Sequence, residues 1–222
     1  MVLDEELRRF IEGAFVCSRE VAQSIGERAA DRRFPARSII LREGDDGGET
    51  VLLVEGTAHA LTYGAEGQVV LLQEFAPGDL FGAIAAAGPE RHEADVVAVE
   101  DVRAAIFPSA DFLALLETHA SVGLAVSRLL LKRLRSTSGR MVEQVTLSAV
   151  GRIHAELLRL AQAGDGFAIR PTPVLSALAV RVNSTRETVS RTISALERRG
   201  VIRREDDAIV VVAPHRLEAL IV

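Results

Sequence analysis

The sequence predicts an α+β fold in three parts: an N-terminal β-sandwich or barrel, a long helix suited to dimerisation, and a C-terminal winged helix-turn-helix. Three patterns favour this fold. Short β-type runs alternate with glycine-, aspartate- and proline-containing turns in the first half, a heptad pattern follows, and two short helical patterns meet at a tight turn near the C-terminus. We place the three parts at residues 1–110, 111–145 and 146–222.

Composition sets the first limits on function. The chain has 222 residues, of which 48% are hydrophobic, so it can bury two small cores. It contains no apolar run of the length that a membrane span needs and no secretory signal, so we expect a cytoplasmic protein without membrane association. Cys17 is the only cysteine, which excludes a disulfide framework, a zinc finger and a four-cysteine iron–sulfur cluster.

Charge is divided unevenly along the chain. Residues 146–222 carry 11 arginines, no lysine and 8 acidic residues, a net charge of +3. The remaining residues carry 15 basic and 23 acidic side chains, a net charge of −8, which completes the −5 of the whole chain. Because phosphate contacts supply the sequence-independent part of DNA binding, this division favours a nucleic-acid partner for the C-terminal part.

The first 107 residues are predicted to place packing helices before a β-sandwich or barrel. Apolar residues recur at helical intervals on both sides of Ser18, namely Leu3, Leu7, Phe10, Ile11, Ala14, Val21, Ile25 and Ala29. From Arg32 onwards, β-type runs cover residues 38–41, 50–54, 58–63, 69–75 and 95–107. Turns are predicted between them at residues 44–48, 64–67 and 77–79.

One long helix is predicted from Asp111 to Gln144. Within it, small and apolar residues recur at alternating steps of four and three, a heptad seam typical of two parallel helices. The seam consists of Gly123, Ser127, Leu130, Leu134, Thr137, Met141 and Gln144. It predicts a homodimer, and the alternative is a helix buried against its own domain through Leu129 and Leu131. A hinge is expected at residues 145–148.

A two-helix motif is predicted between Val174 and Gly200. A helix over residues 150–163 precedes it, and a hairpin with strands at 202–204 and 209–212 follows it as a wing. The buried faces of the two helices are predicted to consist of Leu175, Leu178, Ala179 and Val182, and of Val189, Ile193 and Leu196.

The turn of this motif has suitable chemistry. Asn183 tolerates the left-handed backbone that a sharp turn between helices needs. Either Ser184 or Thr185 can serve as the N-cap of the second helix, and Ser184 has Glu187 at the spacing of a capping box.

The outward face of the second helix carries the functional signal. It presents Arg186, Glu187, Ser190 and Arg191 near the helix start, where a helix in the major groove reads base edges. Arginine pairs bidentately with guanine, and glutamate accepts from the amino group of cytosine. The alternative is a solvated helix in which Glu187 and Arg191 form an ion pair.

Two runs, residues 183–191 and 196–202, resemble the recognition helix of the Crp/Fnr transcription regulators and the segment that follows it. The resemblance implies a regulator that is not an enzyme and that binds a TGTGA/TTGA-like palindrome in double-stranded DNA as a homodimer, with RNA polymerase as a further partner. It implies a DNA site at Thr185, Arg186, Glu187, Ser190 and Arg191. Residues 174–177 depart from the Thr-Gln-Glu that often opens the family's first helix, so no phosphate contact is predicted for them.

The predicted β domain resembles the family's cyclic-nucleotide-binding domain at residues 42–45, 53–56 and 77–82, which implies that its sandwich or barrel is a β jelly-roll. The resemblance implies an effector site at Gly82, Ala83, Arg91, His92, Glu93, Thr137 and Ser138. Thr137 and Ser138 match the helix residues that meet the adenine of cyclic AMP.

Three positions of this site depart from the cyclic AMP pattern. Ala83 replaces the glutamate that accepts the ribose hydroxyl, while His92 and Glu93 replace the arginine and the serine or threonine that bind the phosphate. A carboxylate repels a phosphate, and neutral histidine lacks the guanidinium fork, so we expect another effector or none. The alternatives are cyclic AMP with Arg91 on its phosphate, and haem with His92 or Cys17 as axial ligand. No cofactor is assigned.

Two other classes of protein are alternatives to a transcription regulator. A jelly-roll can be a metal-dependent cupin enzyme, but that needs a His-x-His cluster. The histidines are His59, His92, His119, His154 and His215, none of them in such a pair, so we expect no metal site. A nucleotide-binding module without DNA contact would leave the predicted recognition helix unexplained.

Overall fold

The computed structural model describes residues 4–64, 69–84 and 91–221. They form two compact units that divide between Leu134 and Arg135. Most of the turn predicted at residues 64–67, and Leu3 of the first helical pattern, lie outside the described residues.

Two helices open the N-terminal unit, as predicted. α1 spans Glu5–Phe15 and is N-capped by the side chain of Asp4, and α2 spans Arg19–Gly26 and is N-capped by Ser18. Val16 ends α1 with a left-handed backbone at φ 48°, an unusual conformation for a β-branched residue.

In the described part of this unit, eight strands form two antiparallel four-stranded sheets, and the predicted jelly-roll is confirmed as this two-sheet sandwich. One sheet has the order β1-β8-β3-β6 and the other β2-β7-β4-β5. The strands are β1 (Ala30–Phe34), β2 (Ile39–Leu41), β3 (Glu49–Glu55), β4 (Ala58–Tyr63), β5 (Val69–Phe75), β6 (Leu80–Gly82), β7 (Asp95–Ala98) and β8 (Val102–Pro108).

The central strand β3 is buried on both faces. Val51 and Leu53 point into the core between the sheets, whereas Leu52 and Val54 join the core that α1 and α2 cover. This double burial explains the unbroken apolar run of β3, because an alternating pattern would expose one face.

The predictions for this domain were wrong at three strands. Residues 95–107 form β7 and β8 with a turn between them rather than one strand, and β1 and β6 were not predicted. β1 has the sequence Ala-Asp-Arg-Arg-Phe, which carries almost no apolar signal because it is mostly exposed at a sheet edge.

The single long helix predicted from Asp111 is also wrong. Two helices occupy this stretch, α3 (Ser109–Thr118) and α4 (Ala120–Thr146), with a bend of 110° at His119, whose backbone is extended. The bend lets Phe112 of α3 and Val126 of α4 bury in one core cluster. Among the described residues no single helix is long and apolar enough to cross a membrane, and only the bent pair of α3 and α4 meets that criterion.

Beyond the end of α4, the described residues of the C-terminal unit form four α-helices, one 3₁₀ turn and a three-stranded sheet of order β10-β11-β9. The predicted two-helix motif and its wing hairpin are confirmed. The elements are α5 (Ala149–Ala163), a 3₁₀ turn (Asp165–Phe167), β9 (Ala168–Ile169), α6 (Leu175–Arg181), α7 (Arg186–Arg198), β10 (Ile202–Glu205), β11 (Ala208–Val211) and α8 (Pro214–Glu218).

A buried arginine joins the start of α1 to the sheet. Arg103 of β8 is 3% exposed and pairs with Asp4 at 2.5 Å, Asp31 at 2.9 Å, Glu6 at 3.0 Å and Glu55 at 3.3 Å. The hydrogen bond from Arg103 holds the pKa of Asp4 below its usual range. Because the guanidinium is buried and the four carboxylate side chains are 35–72% exposed, the cluster stays paired without burying unpaired charge.

Replacement of Arg103 by methionine should lower the free energy of unfolding of the N-terminal unit by about 1–3 kcal/mol at neutral pH. The lowered pKa of Asp4 means that its contribution is present above its ordinary pKa of 3.8 and is lost as the pH falls through the lowered value. Urea unfolding of both proteins at neutral pH and near pH 2 measures this. Arg33→Met is the control, since Arg33 is 74% exposed and 3.9 Å from Glu55. An equal loss at both pH values would contradict the ion-pair account.

Candidate nucleic-acid interface

The turn between α6 and α7 has the predicted backbone. Asn183 adopts φ 49°, and the N–H of Ser184 donates to the carbonyl of Ala179 at 2.9 Å. Leu178, Ala179 and Val182 are buried, as their helical spacing predicts. The left-handed residue therefore reverses the chain while the apolar face of α6 stays in the core.

Thr185 is the N-cap of α7. Its side chain accepts from the N–H of Thr188 at 3.2 Å. The capping box expected from Ser184 and Glu187 does not form, because Ser184 precedes the cap by one residue and the matching position after Thr185 is Thr188. The sequence left two candidates for the cap, and the backbone selects the second.

The buried face of α7 is the predicted one. Val189 and Ile193 are fully buried and Leu196 is 1% exposed, all in the core cluster that includes Ile153 and Leu157 of α5. The hydroxyl of Thr192 donates to the carbonyl of Thr188 at 2.8 Å, which satisfies the remaining polar group on this face.

The opposite face of α7 brings four of the predicted DNA-binding residues together. Arg186, Glu187 and Arg191 are exposed and Ser190 is half-buried. Together they line an open surface concavity of about 370 Å³. The alternative ion pair is not formed, since within the described ranges neither Glu187 nor Arg191 pairs with an opposite charge. Their donors and acceptors therefore stay available to a ligand.

Arginines next to this face are engaged inside the domain. Arg204 of β10 lies 3.2 Å from Glu197 and donates to the hydroxyl of Ser194 at 3.3 Å. Arg203 and Arg170 both bind Glu205 at 3.0 Å, and the hydrogen bond from Arg203 holds the pKa of Glu205 below its usual range. The sequence predicts a basic region from these arginines but does not show that they pair with Glu197 and Glu205.

The first half of the predicted effector site is a close-packed backbone. Gly82 has φ 84°, and a Cβ there would lie 2.4 Å from the carbonyl oxygen of Glu49. Ala83 is 6% exposed, its N–H donates to the same carbonyl at 2.9 Å, and its own carbonyl accepts from the hydroxyl of Thr50 at 2.9 Å. A methyl group fills the position at which the family pattern places a carboxylate.

The second half of the predicted effector site, which contains Arg91, His92 and Glu93, hydrogen-bonds to another stretch of backbone. The N–H of His92 donates to the carbonyl of Asp45 at 3.0 Å, and the carbonyl of His92 accepts from the N–H of Gly44 at 2.9 Å. Arg91 and Glu93 are exposed and His92 is half-buried. Residues 85–90, between the two halves, lie outside the described residues. Thr137 and Ser138 are exposed on the part of α4 that belongs to the second unit.

Cys17, one of the two candidate haem ligands, has the surroundings of an inert cysteine. Burial raises the pKa of the Cys17 thiol, so the thiolate that binds metals is disfavoured at neutral pH. In the part of the chain that the structure describes, no three His, Cys, Asp or Glu side chains are grouped so as to hold a metal ion.

The heptad seam on α4 presents apolar side chains to solvent. Leu130 is 46% exposed, Leu134 64% and Met141 68%. The seam's remaining members are small or polar: Gly123, Ser127, Thr137 and Gln144. Of the two residues suggested for burial against the chain's own domain, Leu129 packs on the core cluster of the first unit, whereas Leu131 is 55% exposed.

Comparison with known proteins gives two family matches. Residues 31–119 match the cyclic nucleotide-binding domain, and residues 151–220 match the Crp-like helix-turn-helix domain. The cyclic AMP receptor protein of Thermus thermophilus is 32% identical over 174 residues, which cover 78% of this chain and 79% of that protein. The CRP-like cAMP-activated global transcriptional regulator of Mycobacterium tuberculosis is 25% identical over 189 residues, with coverage of 83% and 84%.

Solved structures share the fold. A mutant of CooA from Carboxydothermus hydrogenoformans gives a TM-score of 0.77 at 16% identity, covering 88% of this chain and 89% of that one. The c-di-GMP responsive global regulator CLP of Xanthomonas campestris gives 0.73 at 20% identity, with coverage of 87% and 99%.

Replacement of Thr185 by alanine should destabilise the C-terminal unit by about 1 kcal/mol, because the N–H of Thr188 loses its acceptor. Ser184→Ala is the matched control, and we expect it to cost less than about 0.5 kcal/mol because this hydroxyl does not cap α7. Urea unfolding monitored by circular dichroism measures both. Equal losses would show that the two hydroxyls share the capping role.

Proposed function

Because the chain belongs to the Crp/Fnr family of transcription regulators, we propose that it binds a TGTGA/TTGA-like palindrome as a homodimer, controlled by an effector other than cyclic AMP. The proposal includes the three-part division at residues 1–110, 111–145 and 146–222, action in the cytoplasm, and RNA polymerase as the partner on the promoter. It assigns no catalytic activity to the chain.

The observation that carries the proposal is the exposed face of α7. Arg186, Glu187, Ser190 and Arg191 line one concavity at the start of the helix. Arg186 and Arg191 can each donate a bidentate pair to guanine, and Glu187 can accept from cytosine. Thr185 stands beside them as the N-cap. Since base contacts set sequence preference, we assign the reading of the half-site to these residues.

The seam on α4 supports a homodimer. Leu130, Leu134 and Met141 expose apolar side chains on one helix, which a second copy of the chain would cover. A two-fold dimer must place its recognition helices about 34 Å apart to meet successive major grooves. A dimer paired along this seam has two-fold symmetry, which matches the two-fold symmetry of a palindromic DNA site.

The effector is proposed to differ from cyclic AMP because of the groups at three positions. Ala83 cannot accept a ribose hydroxyl, His92 lacks a bidentate fork, and Glu93 repels a phosphate. The relatives from Thermus and Mycobacterium are named for cyclic AMP and CLP for c-di-GMP, so regulators of this fold respond to different ligands.

Cyclic AMP remains the second candidate because of these two sequence relatives. In that case Arg91, which is exposed one residue from His92, would bind the phosphate. Haem held by His92 is a third candidate.

The first test is the affinity for a TGTGA-type palindrome with and without cyclic AMP, measured by fluorescence anisotropy on protein whose visible spectrum has been recorded. We expect binding to the palindrome that cyclic AMP does not change, from a protein without a haem band. A clear gain of affinity with cyclic AMP would assign the phosphate contact to Arg91 and overturn the proposed effector. Equal affinity for random DNA in both conditions would refute the palindrome.

Replacement of Arg191 by alanine should cost about 1–3 kcal/mol per half-site and relax the sequence preference at one base pair. Competition with palindromes substituted at single positions measures both effects. Arg198→Ala removes the same charge at the opposite end of α7 and should weaken specific and random DNA alike. If Arg191→Ala also weakens both alike, Arg191 contacts only phosphate.

A further inference from the structure

One guanidinium joins three backbone carbonyls from two separate stretches of the chain. Arg152, on the first turn of α5, donates from Nε to the carbonyl of Val182 at 2.9 Å and from a terminal nitrogen to that of Asn183 at 3.0 Å. Its other terminal nitrogen donates to the carbonyl of Leu147 at 3.0 Å. All three nitrogens are therefore committed to backbone oxygens.

These carbonyls stand at the two places where the backbone leaves a helix. Leu147 follows the end of α4, while Val182 caps α6 and Asn183 forms the left-handed turn before α7. Carbonyls at helix ends lack partners within the helix, so they need donors from elsewhere. Arginine has a rigid fork with five donors, whereas the single ammonium of lysine cannot span three separated carbonyls.

A chain of ion pairs joins the same elements. Arg159 of α5 lies 2.5 Å from Glu143 of α4 and also pairs with Glu156. Glu156 is buried, and its other carboxylate oxygen lies 3.1 Å from Arg181 of α6. The last turns of α4 are thus connected to α6 through α5 by side chains as well as by sequence.

We propose that Arg152 is a positioning residue that fixes the turn before the recognition helix to the end of the dimer helix. Thr185, which caps α7, lies only two residues beyond Asn183. A displacement at Leu147 is therefore passed through one guanidinium to the backbone that sets the place of Arg186 and Glu187. The inference rests on the proposed function, because it concerns how that function's reading surface is held.

If Arg152 only stabilised the domain, its loss would speed up hydrogen exchange along the whole of α5. α5 is anchored in the core by Ile153, Leu157 and Ala161, all fully buried, and this packing does not depend on the guanidinium. Loss of Arg152 should therefore loosen the helix ends while the middle of α5 stays protected.

The test uses the full chain with Arg152→Lys, which keeps the charge, and Arg152→Gln, which removes it. Arg216→Lys is the matched control, because Arg216 donates to a single carbonyl, that of Arg199, at the far end of α7. Hydrogen exchange followed by mass spectrometry should show about tenfold faster exchange at residues 145–149 and 182–186 in both Arg152 variants. The middle of α5 and the control should not change.

Three outcomes of the exchange experiment overturn the proposal: no change at either stretch, a change at only one of them, or faster exchange throughout α5. The last would show that Arg152 merely stabilises the domain, and so would global unfolding of both variants.

DNA binding supplies an independent readout. Arg152→Lys should lower the preference for the palindrome over random DNA by about tenfold and leave the affinity for random DNA and its salt dependence unchanged, because the net charge is unchanged. An unchanged preference would overturn the inference. If the wild-type chain itself does not select the palindrome, the proposed function fails, and the exchange experiment still decides whether Arg152 links the two stretches.

Discussion

The burial of one apolar stripe determines what the C-terminal unit can present to DNA. Val189, Ile193 and Leu196 each contribute about 1.5–3 kcal/mol when buried. An exposed ion pair on a helix contributes only roughly 0.3–0.5 kcal/mol. The core therefore sets the rotation of α7 about its axis, and the charged side chains take the face that remains. Arg186 and Arg191 are exposed because the stripe is buried, and no contact between the charges is needed to hold them there.

The same division of faces operates along α4. At its start, Val122 and Val126 are buried in the core of the first unit, while Leu130 and Leu134 further along are exposed. The bend at His119 makes this possible, since it directs α4 away from the path of α3. One helix thus closes the core of its own domain and then exposes an apolar surface, which a second chain covers in the proposed dimer. The heptad pattern in the sequence predicts the exposed apolar surface but does not predict the burial of Val122 and Val126.

The sequence predicts those features that depend on one residue's own chemistry or on a long periodic pattern. Asn183 at the turn and the buried face of α7 belong to this class. It does not predict features in which several residues compete, such as the choice of Thr185 over Ser184, because backbone geometry decides which hydroxyl reaches an N–H. No glycine or proline stands next to His119 to predict the bend in the sequence. The bend is explained by the burial of Phe112 and Val126 in one core.

Some residues of the predicted effector site are required by the backbone, whereas others have side chains that could contact a ligand. Gly82 is required because the carbonyl of Glu49 lies too close for any Cβ, so its presence reports how β6 pairs with β3 and nothing about a ligand. Ala83 lies in the same backbone network, but it does not have the positive φ that favours glycine at position 82. The chain keeps the glycine and lacks the carboxylate. A match to the domain family therefore establishes the scaffold, and we propose that the groups at Ala83, His92 and Glu93 decide which ligand that scaffold binds.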